Sequence, residues 1–333
     1  MVLIQKNDVY YLDDYVKLYL KSDQNILKFE FNEGSKQFYH ITIKRPILLN
    51  NSQFDGYDLE TAYGYGGFWI NTQDQTFVRK ALKEYEAFCQ NQNIVAEFFR
   101  FHPFNDFPLN FGDYFDFLIE DRETVFVQLE KPYETIFKEY HSSLHRNLKK
   151  AVKNDLQFRL LEPTSEQINH FHRLYYQTMK KNNADSFYFF SESYFNKLFN
   201  LQNTKLFGVE FKGQIVNMVI ILESFPFCYY HLGASEPEYY SLNGNPFLFD
   251  QLIKFYQQKF KIFYLGGGAT PAPDDSLLRF KRKFSPDTKP FFIAGKIFNK
   301  EKYDHLIQKA EKKCPELKSV KYFLKYRLCE FSK

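Results

Sequence analysis

Tryptophan occurs once in this chain and methionine three times, and the four cysteines (Cys89, Cys228, Cys314, Cys329) stand far apart with no CxxC spacing. That pattern suggests neither a zinc site nor a disulfide framework, which fits a reducing cytosol. No run of about 18 uncharged apolar residues is present to span a bilayer. The stretch MVLIQKNDVYYLDDYVK has no basic region followed by an apolar one, so no signal peptide is expected and a cytoplasmic protein is. An excess of one charge is also missing. The 44 Lys and Arg against 40 Asp and Glu leave a net +4, too balanced for a surface that grips nucleic acid all over.

The common catalytic signatures are absent as well. There is no G-x-S-x-G elbow, no H-E-x-x-H and no Walker loop. The histidines are scattered without metal-ligand spacing, so no metal is expected. Without an evident nucleophile, direct transfer between two bound substrates fits better than covalent catalysis. Such transfer depends on positioning and on stabilising developing negative charge.

What is abundant is aromatic: 40 Phe and 25 Tyr in 333 residues, within a globular composition that is 44% apolar. The length allows one large domain or, more naturally, two. Residues 9–21 have helical spacing, and ILKFEFNEGSKQFYHITIKRPI alternates on both sides of a Glu-Gly-Ser turn, which predicts a hairpin. A helix over 74–91, strands at 94–101 and 124–130, and a helix from Pro132 to Lys153 follow. Helices near 164–182 and 191–200, further strands, a helix after Pro246, the strand IFYLGG and a strand at 290–298 repeat that order. The expected class is therefore α/β with mixed sheets. The expected domains are 1–155 and 156–298, with 299–333 a helical segment packing back on the first.

Two cationic stretches draw interest. In LLRFKRKFSP (277–286), read as a short helix, Leu277, Phe280 and Phe284 share a face and Lys281 falls among them. Arg279, Arg282 and Lys283 fall on the other side, as a solvated face does. Lys281 either snorkels to water or is directed into a cleft to meet an anion. In HRNLKKAVKND (145–155), Arg146, Lys149, Lys150 and Lys153 form a ridge, and Asn147 projects on the apolar side with Leu144, Leu148 and Ala151. A charged outer face, favoured by the helix dipole, competes here with a place in an interdomain cleft. Glycine turns occur at Gly64, Gly66 and Gly67, among Tyr63 and Tyr65, and at YLGGG, which ends a strand and includes Gly267. Either turn is structural or lets backbone approach a ligand closely.

Taken in order, YDLETAYGYGGF, FFRFHPF, LHRNLKKAVKN and YLGGG…LLRFKRKFSP resemble the motifs of the Fem family of aminoacyl transferases and its FemAB-like relatives in the GNAT acyltransferase superfamily. The resemblance covers about residues 57–286. It implies two tandem GNAT-like domains packed side by side, with an acceptor held between them. It implies transfer of an aminoacyl or acyl group to an amine of a cell-envelope precursor, such as a peptidoglycan peptide or a nucleotide-linked amino sugar. On matching positions it makes Lys281 and Arg146 catalytic, facing acceptor phosphate or the reacting centre. Asp58 is the candidate proton acceptor, with Glu60 an alternative.

Tyr63, Gly64, Tyr65, Gly66, Gly67, Arg100, His102, Asn147, Lys150 and Gly267 are expected substrate-binding residues, with Tyr63–Gly67 shaping the acceptor pocket. Tyr230, Asn243 and Asn245 are expected to border the donor. The usual acetyl-CoA signature is missing, and the equivalent place reads SLNGNPFLFDQL (241–252). No tightly bound cofactor is expected, and acyl-CoA or aminoacyl-tRNA stands as co-substrate. The expected partners are a phosphate-bearing small-molecule acceptor and tRNA, with no DNA. The competing class is a non-catalytic module that holds RNA or a nucleotide-linked ligand in the same basic cleft.

Overall fold

The computed structural model describes residues 3–49 and 52–330. Along the chain run α1 (Asp13–Lys17), β1 (Asn25–Glu33), β2 (Lys36–Leu49), β3 (Ser52–Glu60), β4 (Trp69–Ile70), α2 (Gln75–Asn91), β5 (Ile94–Arg100), α3 (Phe107–Asn110) and β6 (Phe117–Gln128). Then come α4 (Tyr133–Glu139), α5 (Ser142–Lys153), β7 (Gln157–Leu161), α6 (Ser165–Lys181), α7 (Glu192–Phe199), β8 (Thr204–Phe211), β9 (Gln214–Ser224) and β10 (Phe227–Ser235). The series closes with α8 (Gly244–Tyr256), β11 (Ile262–Gly267), α9 (Ser276–Lys281), β12 (Thr288–Ile297) and α10 (Lys300–Lys313).

Two compact units result. The first comprises Tyr10–Asp121 and the described residues from Pro290 onward; the second comprises the described residues up to Val9 and Arg122–Lys289. Two of the three boundaries, at 121/122 and 289/290, fall inside strands, β6 and β12. The expected boundary at 155/156 is therefore displaced. Leu144, Leu148 and Ala151 of α5 share a core with Val125, Leu252 and Phe284, which places that helix in the second unit. The segment after 299 packs its Leu306, Ala310 and Leu324 against Ile47, Val95 and Phe98 of the first unit.

In the first unit the strands run β1-β2-β3-β5-β12, with β4 beside β2. The β1–β2 hairpin pairs Glu33 with Lys36, and Gly34 at φ +59 makes the turn that the Glu-Gly-Ser sequence announced. Asp74 caps α2 by accepting from the Thr76 and Phe77 amides, and Phe77, Val78, Ala81, Leu82, Tyr85 and Cys89 form its buried stripe. Under it, His40 contacts Glu97 at 2.6 Å and the Tyr85 hydroxyl donates to the other Glu97 oxygen at 2.5 Å.

In the second unit the order is β6-β11-β10-β9-β8-β7. All neighbours are antiparallel except β10 and β11. The helix expected over 132–153 is two helices. Tyr140 and His141 are extended, and the His141 side chain accepts from the Ser143 amide to start α5 afresh. Asp250 of α8, 3% exposed, gathers the hydroxyls of Tyr133 and Tyr140 and the Lys254 ammonium. That network ties α4 and α5 to α8, and burial, reinforced by the Asp250 carboxylate, pushes the Tyr140 phenol strongly up.

Cys89 and Cys228 are free and buried, but Cys314 is disulfide-bonded, which corrects the expectation that no disulfide forms. Among the described residues no helix is long and apolar enough to cross a membrane, and no cluster of His, Cys, Asp or Glu is arranged to hold a metal ion.

Candidate functional site

The second unit contains a fork. β10 and β11 pair in parallel only from Phe227–Ile262 to Tyr229–Tyr264. Beyond that register β10 continues to Ser235 with β9 alone, and β11 continues to Gly267 with β6 alone. Each strand carries an irregularity where they part, between Tyr230 and Leu232 and between Tyr264 and Gly266. Strand carboxyl ends that separate in this way leave a crevice between them, a favoured place for ligands in α/β sheets.

Lys281 spans that fork. Its ammonium donates to the Gly267 carbonyl of β11 at 2.7 Å and lies 5.2 Å from the centre of the Tyr230 ring on β10. The residue is only 4% exposed, so the snorkelling reading does not describe it. Burial lowers its pKa from the usual lysine range to about 7; nearby Asp275 resists the shift and Arg122 adds to it. A buried amine with that value exchanges its charge near neutral pH.

Local chemistry fixes this lysine. Asp275 caps α9 through the Leu277 and Leu278 amides and also accepts from the Ala269 and Thr270 amides, so one carboxylate binds both ends of the loop between β11 and α9. Arg122 donates to the Gly268 carbonyl at 3.0 Å, and Arg282 to Glu123 at 2.6 Å. Leu278, Lys281 and Phe284 point inward together, three residues apart, while Arg279 and Arg282 face outward.

On the β10 side, Tyr230 packs at 5.0 Å from Phe249, and burial pushes its phenol up to about 12. The adjacent His231 contacts the Tyr194 hydroxyl at 2.9 Å, and burial lowers its pKa to about 3, so its imidazole is neutral. At the end of the strand, Ser235 donates to Asn245 at 2.9 Å, and buried Asn217 donates to both Ser235 and Asn245. Asn243 turns the chain in the left-handed region at φ 62 and begins α8. Gly244 lies so close to the Asn217 amide that a Cβ there would meet Oδ1 at 1.7 Å, and that oxygen is buried without a hydrogen-bond partner. The N-terminus of α8 thus lies at the same end of β10 as the fork, where the helix dipole favours an anionic group.

The structure brings Lys281, Gly267 and Tyr230 together, and sets Asn245 with Asn217 and Ser235 at the end of β10, after the turn at Asn243. Arg146 and Lys150 are exposed on α5 and Asn147 is half-buried there. Sequence reasoning missed Asn217, Ser235, Tyr194, Arg122 and Asp275 and gave His231 no role. Asp275 stands where a helix cap is expected, just before α9, and the others carry no local pattern.

The remaining expected residues lie in the first unit, where most serve as architecture. Asp58 is fully buried and accepts from Arg45 at 2.8 Å, Arg327 at 2.7 Å and the Tyr326 hydroxyl at 3.0 Å. Burial opposes its charge, but the two guanidiniums outweigh that and hold its pKa below the usual carboxylate range. A carboxylate so engaged has no lone pair aimed at a substrate, which removes it as proton acceptor. Glu60 is taken up by Arg45 and Arg100. His102 is buried and neutral, its pKa lowered to about 3, and its Nδ1 accepts from the Phe104 amide at 3.1 Å. The Tyr63–Gly67 turn is packed from beneath. Tyr15 donates to the Tyr63 carbonyl, Tyr11 to that of Gly66, and the Tyr65 ring lies edge-on to His102. Gly64 and Gly67 have φ +94 and +90, and a Cβ on Gly67 would stand 2.4 Å from the Phe101 ring.

No protein-family model matches this chain, and no curated protein matches it by sequence. Solved structures match it in fold. The crystal structure of FemX shares a TM-score of 0.72 at 11% identity, over 88% of this chain and 93% of that one. The C-terminal DUF2156 domain of a putative lysylphosphatidylglycerol synthetase from Agrobacterium fabrum gives 0.55 at 13% identity, over 92% of each chain. L-PGS from Bacillus licheniformis gives 0.52 at 14%, over 79% of this chain and 84% of that one. The chain shares the mixed α/β fold of the FemX structure, the fold that the resemblance to Fem motifs implied.

Proposed function

We propose that this protein is an acyltransferase that moves an aminoacyl or acyl group from an activated donor to an amine, with the reacting carbonyl held at the β10–β11 fork. The observation that carries the reading is Lys281, a buried amine bridging two diverging strands with one hydrogen bond, to a backbone carbonyl. Nothing in core packing requires an amine there.

In such a reaction the acceptor nitrogen attacks the donor carbonyl and negative charge develops on its oxygen; the donor's ester or thioester bond then breaks, and the proton lost by the amine passes to the departing tRNA hydroxyl or thiol. The Lys281 ammonium, in a poorly solvated site, is placed to donate to that oxygen. The α8 N-terminus and the Asn217–Ser235–Asn245 cluster would hold the anionic or polar part of the donor. Either an aminoacyl-tRNA or an acyl thioester satisfies that chemistry. The acceptor is an amine on a phosphate-bearing cell-envelope precursor, in line with the FemX-like fold.

The test incubates the protein with labelled aminoacyl-tRNA or acyl-CoA and a panel of amine-bearing envelope precursors, and compares wild type with Lys281→Met. Transfer by wild type, reduced at least a hundredfold in kcat/KM by the substitution, is the expected result. Equal transfer by both proteins would remove Lys281 from the chemistry.

A further inference from the structure

We infer that the outer face of α5 is an electrostatic docking surface for an anionic lipid bilayer. Several cations of the second unit are neutralised within the fold. Lys131 pairs with Glu139, Arg159 with Glu210, Lys254 with Asp250 and Arg282 with Glu123. Arg146, Lys149, Lys150 and Lys153 are exposed and, among the described residues, meet no carboxylate. They occupy one stripe of a helix about 18 Å long.

That stripe cannot turn inward. Leu144, Leu148 and Ala151 bury the opposite face in the core. The His141 amide donates to the Lys283 carbonyl at 2.9 Å at one end, and Asn154 donates to the Leu242 carbonyl at 3.5 Å at the other. The helix dipole accounts for Lys150 and Lys153 in the last turn. It does not account for Arg146, nor for exposed Lys138 on α4, which adds a cation from a separate element.

A straight, rigid row of charge fits a flat anionic surface, where each Lys or Arg adds to the attraction and salt weakens it. Val152, 69% exposed, flanks the row with an aliphatic side chain suited to the headgroup boundary. Single-stranded nucleic acid is favoured less, since the exposed large apolar residue on this helix is not aromatic and offers bases no stacking platform.

The experiment is cosedimentation of the full chain with vesicles of phosphatidylcholine alone or mixed with phosphatidylglycerol, at low and raised salt. The wild type is expected to bind only the mixed vesicles and to lose binding as salt rises. Lys149→Glu, Lys150→Glu and Lys153→Glu combined should weaken partition at least tenfold. The same three positions changed to Gln should weaken it less, and they serve as the folded control if charge reversal disturbs the helix. Equal binding to both vesicle types, binding unaffected by the substitutions, or binding to RNA but not to vesicles would each overturn the inference.

Discussion

The Lys281 ammonium sits 2.7 Å from the Gly267 carbonyl, joining a six-residue helix to the end of the strand from which β10 has just diverged. A neutral donor would complete that contact as well, and an apolar side chain would fill the space at no desolvation cost. The charge is held there against the preference of its surroundings.

Lys281→Met should therefore raise stability while abolishing transfer. A gain of about 1–2 kcal/mol in chemical denaturation is expected near neutral pH, the pattern of a site kept for function. The sign of the pH dependence follows from the lowered pKa. Between about pH 7 and the ordinary lysine value, the unfolded chain binds a proton that the folded chain does not, so wild-type stability rises with pH across that window. The advantage of Lys281→Met should accordingly shrink from pH 7 to pH 10. An advantage independent of pH would show that the amine is not desolvated.

His102 and His231 should stay neutral through the physiological range. Both have pKa values lowered to about 3 by burial, so their ring signals should show no titration by NMR between pH 5 and 8. Their linkage runs in one direction. Below the unfolded value of about 6.5 the unfolded chain takes up protons first, and stability falls as pH drops toward 3. A midpoint near 6.5 for either ring would place it in contact with water.

The glycines of the Tyr63–Gly67 turn should differ sharply from the hairpin glycine. Gly34→Ala meets nothing within 4 Å and carries only left-handed backbone strain, about 1 kcal/mol. Gly67→Ala has comparable strain and would also force the Phe101 ring aside, adding about 1–3 kcal/mol. Thermal unfolding of the two variants reads the difference directly. Equal losses would mean the Phe101 ring yields without cost.

The helical wheel separated Lys281 from Arg279 and Arg282 because side-chain direction follows local periodicity. It erred by one position, pointing Leu277 inward where Leu278 is buried, because a six-residue helix closing into a turn follows a three-residue repeat. The glycine-rich turn was visible as a motif, but its packing under Tyr11 and Tyr15 was not, since those contacts join residues about 50 positions apart. The unit boundaries were illegible for a related reason. Two of them fall inside β6 and β12, where no linker composition marks them. Asp58 looked available because its partner Arg327 is 269 residues away.

Asp58→Asn tests that last reassignment. The carboxylate pairs with Arg45 and Arg327 together, so removing its charge leaves Arg45 to Glu60 alone and takes a counterion from the largely buried Arg327 guanidinium. Breaking a buried pair from one side costs about 3–5 kcal/mol, and a loss of that size is expected in denaturant titration. Because the folded pKa is depressed, the stabilisation is complete above the unfolded value of about 4 and disappears as pH falls through the folded one. Wild type should therefore lose its advantage over Asp58→Asn only in acid. If Asp58→Asn instead kept full stability and lost transfer alone, Asp58 would return as the proton acceptor.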